Sequence, residues 1–581
     1  MNFVCNSNNY NCECNEAKKF CLTDCARKED LKIVEALAEH DFRFKRLPGM
    51  FAQWKAEFFA FVAFIKNKMY ELHTKFTHFP RFTNTWKYLN AKGSHPMSHR
   101  NLTLLTDLYE LTMMQGYFKS GSNPRVIFDV FFRSNPCGGG YAITAGLQQA
   151  IRYIKELTFN DEDIAYFKSL SIFDEDFLDY LSDFHFSGDI YAIPEGTVVF
   201  PKEPLVKVIA PIMEAQLIET ALLNIINHQS LIATKAARVV YAAEGDGIME
   251  FGLRRAQGPD AGIYGARAAM IGGCIGTSNV LCGQLFDVPV KGTHAHSWIM
   301  SFPDEYTAFK TYADMYPSAC ILLVDTYDTL HSGVPNAIRV FTEMREAGIP
   351  LTNYGIRLDS GDLAYLSKKA RKMLDAAGFQ DAVISASSDL DEYLIDSLKQ
   401  QGAKITSWGV GTNLITSKDC PAFGGVYKLA AIEDEDGVFI PKIKLSENSE
   451  KITNPGNKTI FRIYDKESGM LKADVIALVG ETIPEDKPLL LFDPVETWKK
   501  TKLPAGSFTV RELLVPVFQD GKPVYTSPKV MDIRAYCQEE LSHVWDETKR
   551  LVNPHKVYVD LTRNLYDIKT ELLNQWHSEK N

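Results

Sequence analysis

The sequence predicts an α/β protein centred on a parallel βα repeat. From Gly247 to Phe423, short apolar stretches end in glycine turns and are followed by helix-length segments, as in a parallel barrel or an open sheet. Those stretches run into loops rich in polar groups, and the carboxyl edge of an α/β sheet is where ligands sit. The flanks are β-rich instead. Residues 189–209 alternate between Pro and Gly breaks, and after Gly425 the segments GGVYKLAAIEDEDGVFIPKIKLS and TIFRIYDKESGMLKADVIAL read as hairpins.

The chain opens with a segment of different character. Cys5, Cys12, Cys14, Cys21 and Cys25 crowd its start. Cys-x-Cys followed by Cys-x3-Cys is not a defined zinc spacing, so residues 1–96 are expected to be a poorly ordered or peripheral extension. Phe51–Met69 has the spacing of one amphipathic helix with an aromatic face. The composition changes at Met97, the expected working start. In TLLTDLYELTMMQGYFK, residues 103–119, Leu104, Leu108, Leu111, Gln115 and Phe118 recur at helical spacing and predict a helix with a mainly apolar ridge. Tyr109 points off that ridge, toward a neighbouring element, a ligand or a partner subunit. VIFDVFF, residues 126–132, is strand-like; Gly146 to about Lys155 and residues 214–243 are helical. A final helix is expected near Ser527–Arg550.

Composition narrows the function classes. With 581 residues there is room for two or three domains. Apolar content of 45% and charged content of 23% are those of a globular protein, and a net charge of −10 argues against nucleic acid as the main partner. No uncharged apolar run reaches the roughly eighteen residues of a membrane span; Met50–Ile65 is broken by Lys55 and Glu57. The start lacks the pattern of a secretory signal, and the cysteines after Met97 are scattered, which suits a reducing cytoplasm.

VKGTHAHSWIMSF, Val290–Phe302, presents Thr293, His294, His296 and Ser297 at an expected strand end. Two histidines there allow a structural pair, one bonded to backbone and one exposed. They also allow a metal site, which needs a third ligand. The third possibility is a nucleophilic imidazole beside hydroxyls and amides that hold a phosphate. Arg254 and Arg255 suit phosphate or carboxylate, with Phe251 offering a ring face; alone they would read as surface arginines. Asp325 and Asp328 could hold Mg²⁺ or cap a helix. Arg357 and Asp359, two apart on an extended strand, share a face, although Asp359 or Ser360 could cap the next helix. Gly409, Gly411 and Thr412 form a turn that can aim amides and a hydroxyl at a phosphate, and Gly424-Gly425 follows. Together these strand ends point to an anionic, phosphorylated ligand over the mouth. No P-loop, dinucleotide glycine fingerprint or nucleophile elbow is present.

The ordered series TDLYELTM, FDVFFR, GGGYAI, EFGLRRAQGPDAG, GTSNV, KGTHAHS, VDTYDT, RLDSGDL, GVGTNL, GGVYKL and KLSENSEKITNPG resembles the nicotinate phosphoribosyltransferase family across residues 97–581. The resemblance implies a type II phosphoribosyltransferase fold: an irregular α/β barrel, with a β-rich open sandwich built from both flanks. Residues 97–246 then supply the first part of the sandwich and its helices, 247–423 the barrel, and 424–581 the return to the sandwich. It implies a homodimer with shared sites that forms nicotinate mononucleotide and pyrophosphate from nicotinate and 5-phosphoribosyl-1-pyrophosphate, with coupled ATP hydrolysis and Mg²⁺, as the first step of NAD salvage from nicotinate. By the same resemblance, His296 is the phosphorylated histidine and Thr293 and Arg357 contact nicotinate. Tyr109 reaches the ring from the partner subunit and Phe251 covers its other face. Gly411 and Thr412 cradle the 5-phosphate, while Asp325 and Asp359 face ribose or Mg²⁺-pyrophosphate. His294 is given no role. Rival expectations are a nicotinamide phosphoribosyltransferase, a His-x-His metal-dependent hydrolase and a non-catalytic nucleotide-binding member.

Overall fold

A computed structural model describes residues 101–579, apart from 449, 450 and 497. The cysteine-rich start, the helix expected over Phe51–Met69 and Met97 lie outside the described residues.

The βα repeat forms a six-stranded parallel sheet in the spatial order Gly276–Thr277, Gly247–Glu250, Ser407–Val410, Val383–Ser388, Tyr354–Leu358, Cys320–Leu323. Helices such as Pro259–Ile271, Val334–Glu346 and Leu363–Ala376 return the chain between strands. Strands covered on both faces must be apolar throughout, and Ile248, Leu322, Ile356, Ile384, Trp408 and Val410 are all buried in one core with Phe309 and Phe341. Trp408 is fully buried, and its indole N–H donates to Asp246 Oδ2 at 3.0 Å. Truncating such a residue to Ala costs about 3–5 kcal/mol. The sheet is an incomplete barrel. Beyond Gly276–Thr277 it continues, among the described residues, only as a single parallel bridge from Thr277 to Val290, so the stretch expected to be a strand before Gly292 is an extended loop.

Two further sheets form the sandwich from both flanks. The seven-stranded sheet runs Phe439–Pro441, Gly425–Glu433, Arg125–Phe132, Val206–Pro211, Asp189–Ala192, Val515–Gln519, Lys522–Pro523. The six-stranded sheet runs Lys500–Leu503, Leu489–Phe492, Tyr558–Leu561, Leu471–Leu478, Lys458–Asp465, Phe508–Glu512. Phe128, Val208, Tyr427, Ile460, Ile476 and Leu561 from both flanks share one core. Inside it, Lys458 Nζ pairs with Asp129 Oδ2 at 2.7 Å, tying the two sheets together. Both groups are at most 4% exposed, so losing either partner leaves a buried charge, at a cost of about 3–5 kcal/mol.

Two helix expectations change. The first helix runs Leu108–Ser120, started by an Asp107–Glu110 capping box. Its buried face is Glu110, Leu111 and Met114, whereas Leu104 and Leu108 are exposed. The neighbouring helix Ile212–Leu217 sets that face, and Glu110 is buried because its carboxylate accepts from Thr220 N–H at 2.9 Å and Thr220 Oγ1 at 2.8 Å. Near the carboxyl end, the expected single helix is Val530–Ser542 and Asp546–Lys549, and a strand Tyr558–Leu561 and a helix Arg563–Glu579 follow. No helix among the described residues is long and apolar enough to cross a membrane.

Candidate active site

Seven polar side chains meet at the carboxyl edge of the incomplete barrel. Helix His296–Met300 begins at the histidine, with Ala295 as its extended cap residue. His296 Nδ1 lies 3.0 Å from Thr326 Oγ1, and Nε2 lies 3.7 Å from Asp359 Oδ2. Asp359 is held in turn: its N–H donates to Asp325 Oδ2 at 2.8 Å, and Ser387 Oγ donates to its Oδ1. Arg357 Nη2 approaches Asp359 Oδ1 at 3.5 Å, so the two residues do share a face of their strand. Arg357 Nη1 donates to Thr293 Oγ1, and to His294 O at 3.3 Å. Nucleophile candidate, carboxylate, cation and hydroxyl thus form one polar cluster drawn from the ends of four segments.

The remaining expected residues fall into three groups. Phe251 and Arg254 follow strand Gly247–Glu250 at the same edge. A Cβ on Gly409 would sit 2.5 Å from Phe251 Cδ2, so the missing side chain makes room for that ring. Arg254 is exposed on the turn Leu253–Arg255, near enough to Arg357 for its charge to act there. Gly411 and Thr412 open the short helix Thr412–Ile415 after the adjacent strand. Ser297 is exposed in the first turn of its helix.

Gly424 and Gly425 lie farther along the chain. Gly424 has φ +73°, a conformation that suits glycine. Gly425 pairs with Phe132 in the sandwich, where a Cβ would meet Asn227 Oδ1 at 2.0 Å. Tyr109 also lies apart from the cluster. It is 46% exposed on helix Leu108–Ser120, and partial burial followed by the charges of Glu219 and Glu110 pushes its hydroxyl up to about 12.

Several capping alternatives resolve. Asp328 Oδ1 accepts from Leu330 and His331 N–H, so it is a cap. Asp362, not Asp359 or Ser360, caps helix Leu363–Ala376. Asp325 Oδ2 also accepts from Ser360 Oγ at 2.7 Å, while its Oδ1 is buried without a hydrogen-bond partner. A carboxylate oxygen left over in this way fits a cation. Among the described residues, however, no three His, Cys, Asp or Glu side chains gather to hold an ion by themselves. That donor set suits Mg²⁺ held by one or two carboxylates together with substrate phosphates.

The two histidines do not converge on an ion. His294 is 8% exposed; its Nε2 accepts from Leu323 N–H at 3.3 Å, and its ring packs edge-on against Tyr312 at 4.7 Å. Burial, then the nearby Arg357 charge, holds it down to about 4, so it is neutral near pH 7. Burial likewise lowers the Arg357 guanidinium. The pair is one buried and one half-exposed imidazole, and the His-x-His metal hydrolase loses its basis.

Sequence reasoning did not single out Thr326, Ser387 or Glu250. Thr326 adjoins Asp325, and Ser387 lies in the strand end VISASSDL. Glu250 accepts from Thr277 Oγ1 at 2.6 Å and from Gly252 N–H, joining two strand ends. A second cationic group was also missed. Burial lowers the Lys428 ammonium, opposed by the carboxylate of Glu219 at 3.9 Å, while the charges of Lys444 and Arg133 act with burial.

Family models agree with this architecture. The nicotinate phosphoribosyltransferase N-terminal domain matches residues 104–227, the nicotinate phosphoribosyltransferase family 247–454 and the C-terminal domain 457–569. The chain is 48% identical over 476 residues to nicotinate phosphoribosyltransferase of Bacillus subtilis, covering 82% of this chain and 96% of that protein. The crystal structure of human nicotinic acid phosphoribosyltransferase superposes with a TM-score of 0.70 at 31% identity, covering 81% of this chain and all of that one. Nicotinate-nucleotide pyrophosphorylase from Pyrococcus furiosus superposes at 0.59 and 22% identity, over 76% of this chain and 96% of that one, a likeness of fold. With its incomplete barrel, flanking sandwich and clustered strand-end residues, the chain belongs to the nicotinate phosphoribosyltransferase family of enzymes.

Proposed function

We propose that the protein joins nicotinate to 5-phosphoribosyl-1-pyrophosphate, the first step of NAD salvage from nicotinate, and couples this to ATP hydrolysis through a phosphate carried on His296. The observation that carries the proposal is the single cluster of His296, Asp359, Arg357 and Thr293. The Arg357 guanidinium receives the nicotinate carboxylate, a charge-assisted contact that favours the acid over the neutral carboxamide. Thr293 turns its hydroxyl to the same group. Phe251 covers one ring face, and Tyr109 of the partner subunit covers the other.

The pyridine nitrogen attacks the anomeric carbon. A C–N bond forms, the C–O bond to pyrophosphate breaks, and positive charge grows on the sugar. Positioning and fixed charge therefore supply most of the acceleration. Arg254, Gly411 and Thr412 hold the 5-phosphate with their cation, amides and hydroxyl. Asp359 and Asp325 face the ribose hydroxyls and the Mg²⁺ that accompanies pyrophosphate; the ion, when bound, offsets the charge of the leaving group.

In the ATP half-reaction, His296 Nε2 attacks the γ-phosphorus, the bond to ADP breaks, and water later cleaves the N–P bond to release phosphate. Thr293 and Ser297 steady the phosphoryl oxygens. A histidine is suited to this role because much of it is unprotonated near neutral pH. The added dianion shifts the affinity for the phosphoribosyl donor, which couples the two reactions.

Exposed Leu104, Leu105, Leu108, Tyr109 and Met113 support a homodimer, since they give the first helix and the segment leading into it exposed apolar side chains. Six free cysteines among the described residues suit a cytoplasmic enzyme. The test is pyrophosphate release with nicotinate or nicotinamide, with and without ATP. Release with nicotinate that ATP stimulates is expected; equal turnover of nicotinamide would remove the carboxylate role of Arg357.

A further inference from the structure

The incomplete barrel has a seam. On one side the loop after Val290 is tied to Thr277, with Lys291 N–H donating to Thr277 O at 2.9 Å. On the other side stands the edge strand Cys320–Leu323, whose only ladder partner among the described residues is Tyr354–Leu358. Val324 N–H satisfies that ladder at Arg357 O, 3.1 Å, and the neighbouring Leu323 N–H points the other way, into the seam. A further strand would meet it with a backbone carbonyl. Here His294 Nε2 takes that place at 3.3 Å.

We infer that His294 is a positioning residue for base binding, its imidazole serving as the missing ladder acceptor that holds the Thr293–His294 peptide against Arg357. Three contacts converge on this. His294 is anchored between Leu323 N–H and the ring of Tyr312. Its own carbonyl accepts from Arg357 Nη1 at 3.3 Å. The preceding side chain, Thr293 Oγ1, accepts from the same nitrogen. Removing the ring acceptor frees the loop and strands a buried N–H, so the guanidinium loses two of the acceptors that aim it. Burial keeps the ring neutral, as an acceptor must be.

The inference rests on Arg357 binding the nicotinate carboxylate, so both are measured together. His294→Leu fills the space but cannot accept; His294→Gln can. His294→Leu is expected to raise the KM for nicotinate on the order of tenfold, the loss of a hydrogen bond worth about 1.4 kcal/mol. Its kcat at saturating nicotinate and its labelling by ATP should stay within about twofold, the spread expected of an unperturbed step. His294→Gln should restore most of the affinity. Should His294→Leu not fold, His294→Asn, too short to reach Leu323, takes its place with the same expectation. An unchanged KM in these variants, or a KM raised equally in His294→Gln, overturns the inference. Arg357→Lys separates the two levels. If it raises the KM while His294→Leu does not, only the His294 role falls; if it leaves the KM unchanged, the carboxylate contact itself is wrong and the His294 role falls with it.

Discussion

Two residues apart in one loop, His294 and His296 occupy different worlds. His296 is 39% exposed at the mouth, between a threonine hydroxyl and a carboxylate. His294 faces the opposite way, 8% exposed, with an aromatic ring edge and one backbone N–H for neighbours. Residues two apart in an extended segment share a face. The loop departs from that rule because helix His296–Met300 starts at the second histidine and turns its side chain outward. Residue type therefore does not set function here; the first helical turn does. One imidazole stands at the mouth beside Thr326 and Asp359, while the other is buried against the edge strand.

The sharpest break in that comparison is His296→Ala. It should abolish phosphate incorporation from ATP while leaving the melting temperature within a degree or so, since surface changes stay within about 0.5 kcal/mol. Nicotinate should still bind, and residual ATP-independent synthesis should need more phosphoribosyl pyrophosphate. Next in size, Arg357→Ala should lower kcat/KM for nicotinate by roughly 10–150-fold, the range for a hydrogen bond to a charged group. An unchanged kcat/KM would remove Arg357 from the site.

A third test concerns acid stability. Folding holds His294 down to about 4 against an ordinary 6.5, so the unfolded chain takes up a proton first as pH falls. The stability from keeping the ring neutral is fully present above pH 6.5 and is lost progressively as pH falls from 6.5 toward about 4. Arg357 and His296 face the ring and add to this, while Tyr312 and Phe309 supply no charge. The loss is at most about 3 kcal/mol. His294→Leu should flatten that part of the urea-midpoint profile, and His296→Ala, which removes only the smallest contribution, should change it far less. The smallest expected effect is Thr326→Val, which removes the hydroxyl beside His296 Nδ1. It should slow labelling by ATP about fivefold, the size of one neutral hydrogen bond, and Thr326→Ser should restore the rate.

Much of the barrel was legible because its signal is local. An apolar run, a glycine and a polar residue follow each other within a few positions, which is enough to place Arg357, Asp359 and Gly411 at strand ends. What stayed hidden depends on residues distant in the chain. Thr326 meets His296 across 30 positions, Ser387 meets Asp359 across 28, and Leu323 meets His294 across 29. Periodicity carries no information about such pairs. The first helix shows the same limit from the other side. Its spacing suggested a ridge through Leu104 and Leu108, but packing against Ile212–Leu217 buried Glu110 and Met114 and left those leucines exposed. The sandwich was legible as hairpins, not as sheets, because Arg125–Phe132 finds Gly425–Glu433 only after the whole barrel has intervened.

The most direct measurement is to incubate the enzyme with γ-labelled ATP and Mg²⁺, digest with trypsin, and locate the phosphate by fragmentation. Both histidines fall in the peptide Gly292–Lys310, so one spectrum compares them. An acid-labile, alkali-stable phosphate on His296 and none on His294 is the expected result. Phosphate on His294, no phosphate at all, or undiminished labelling of His296→Ala would contradict the division of labour within this loop.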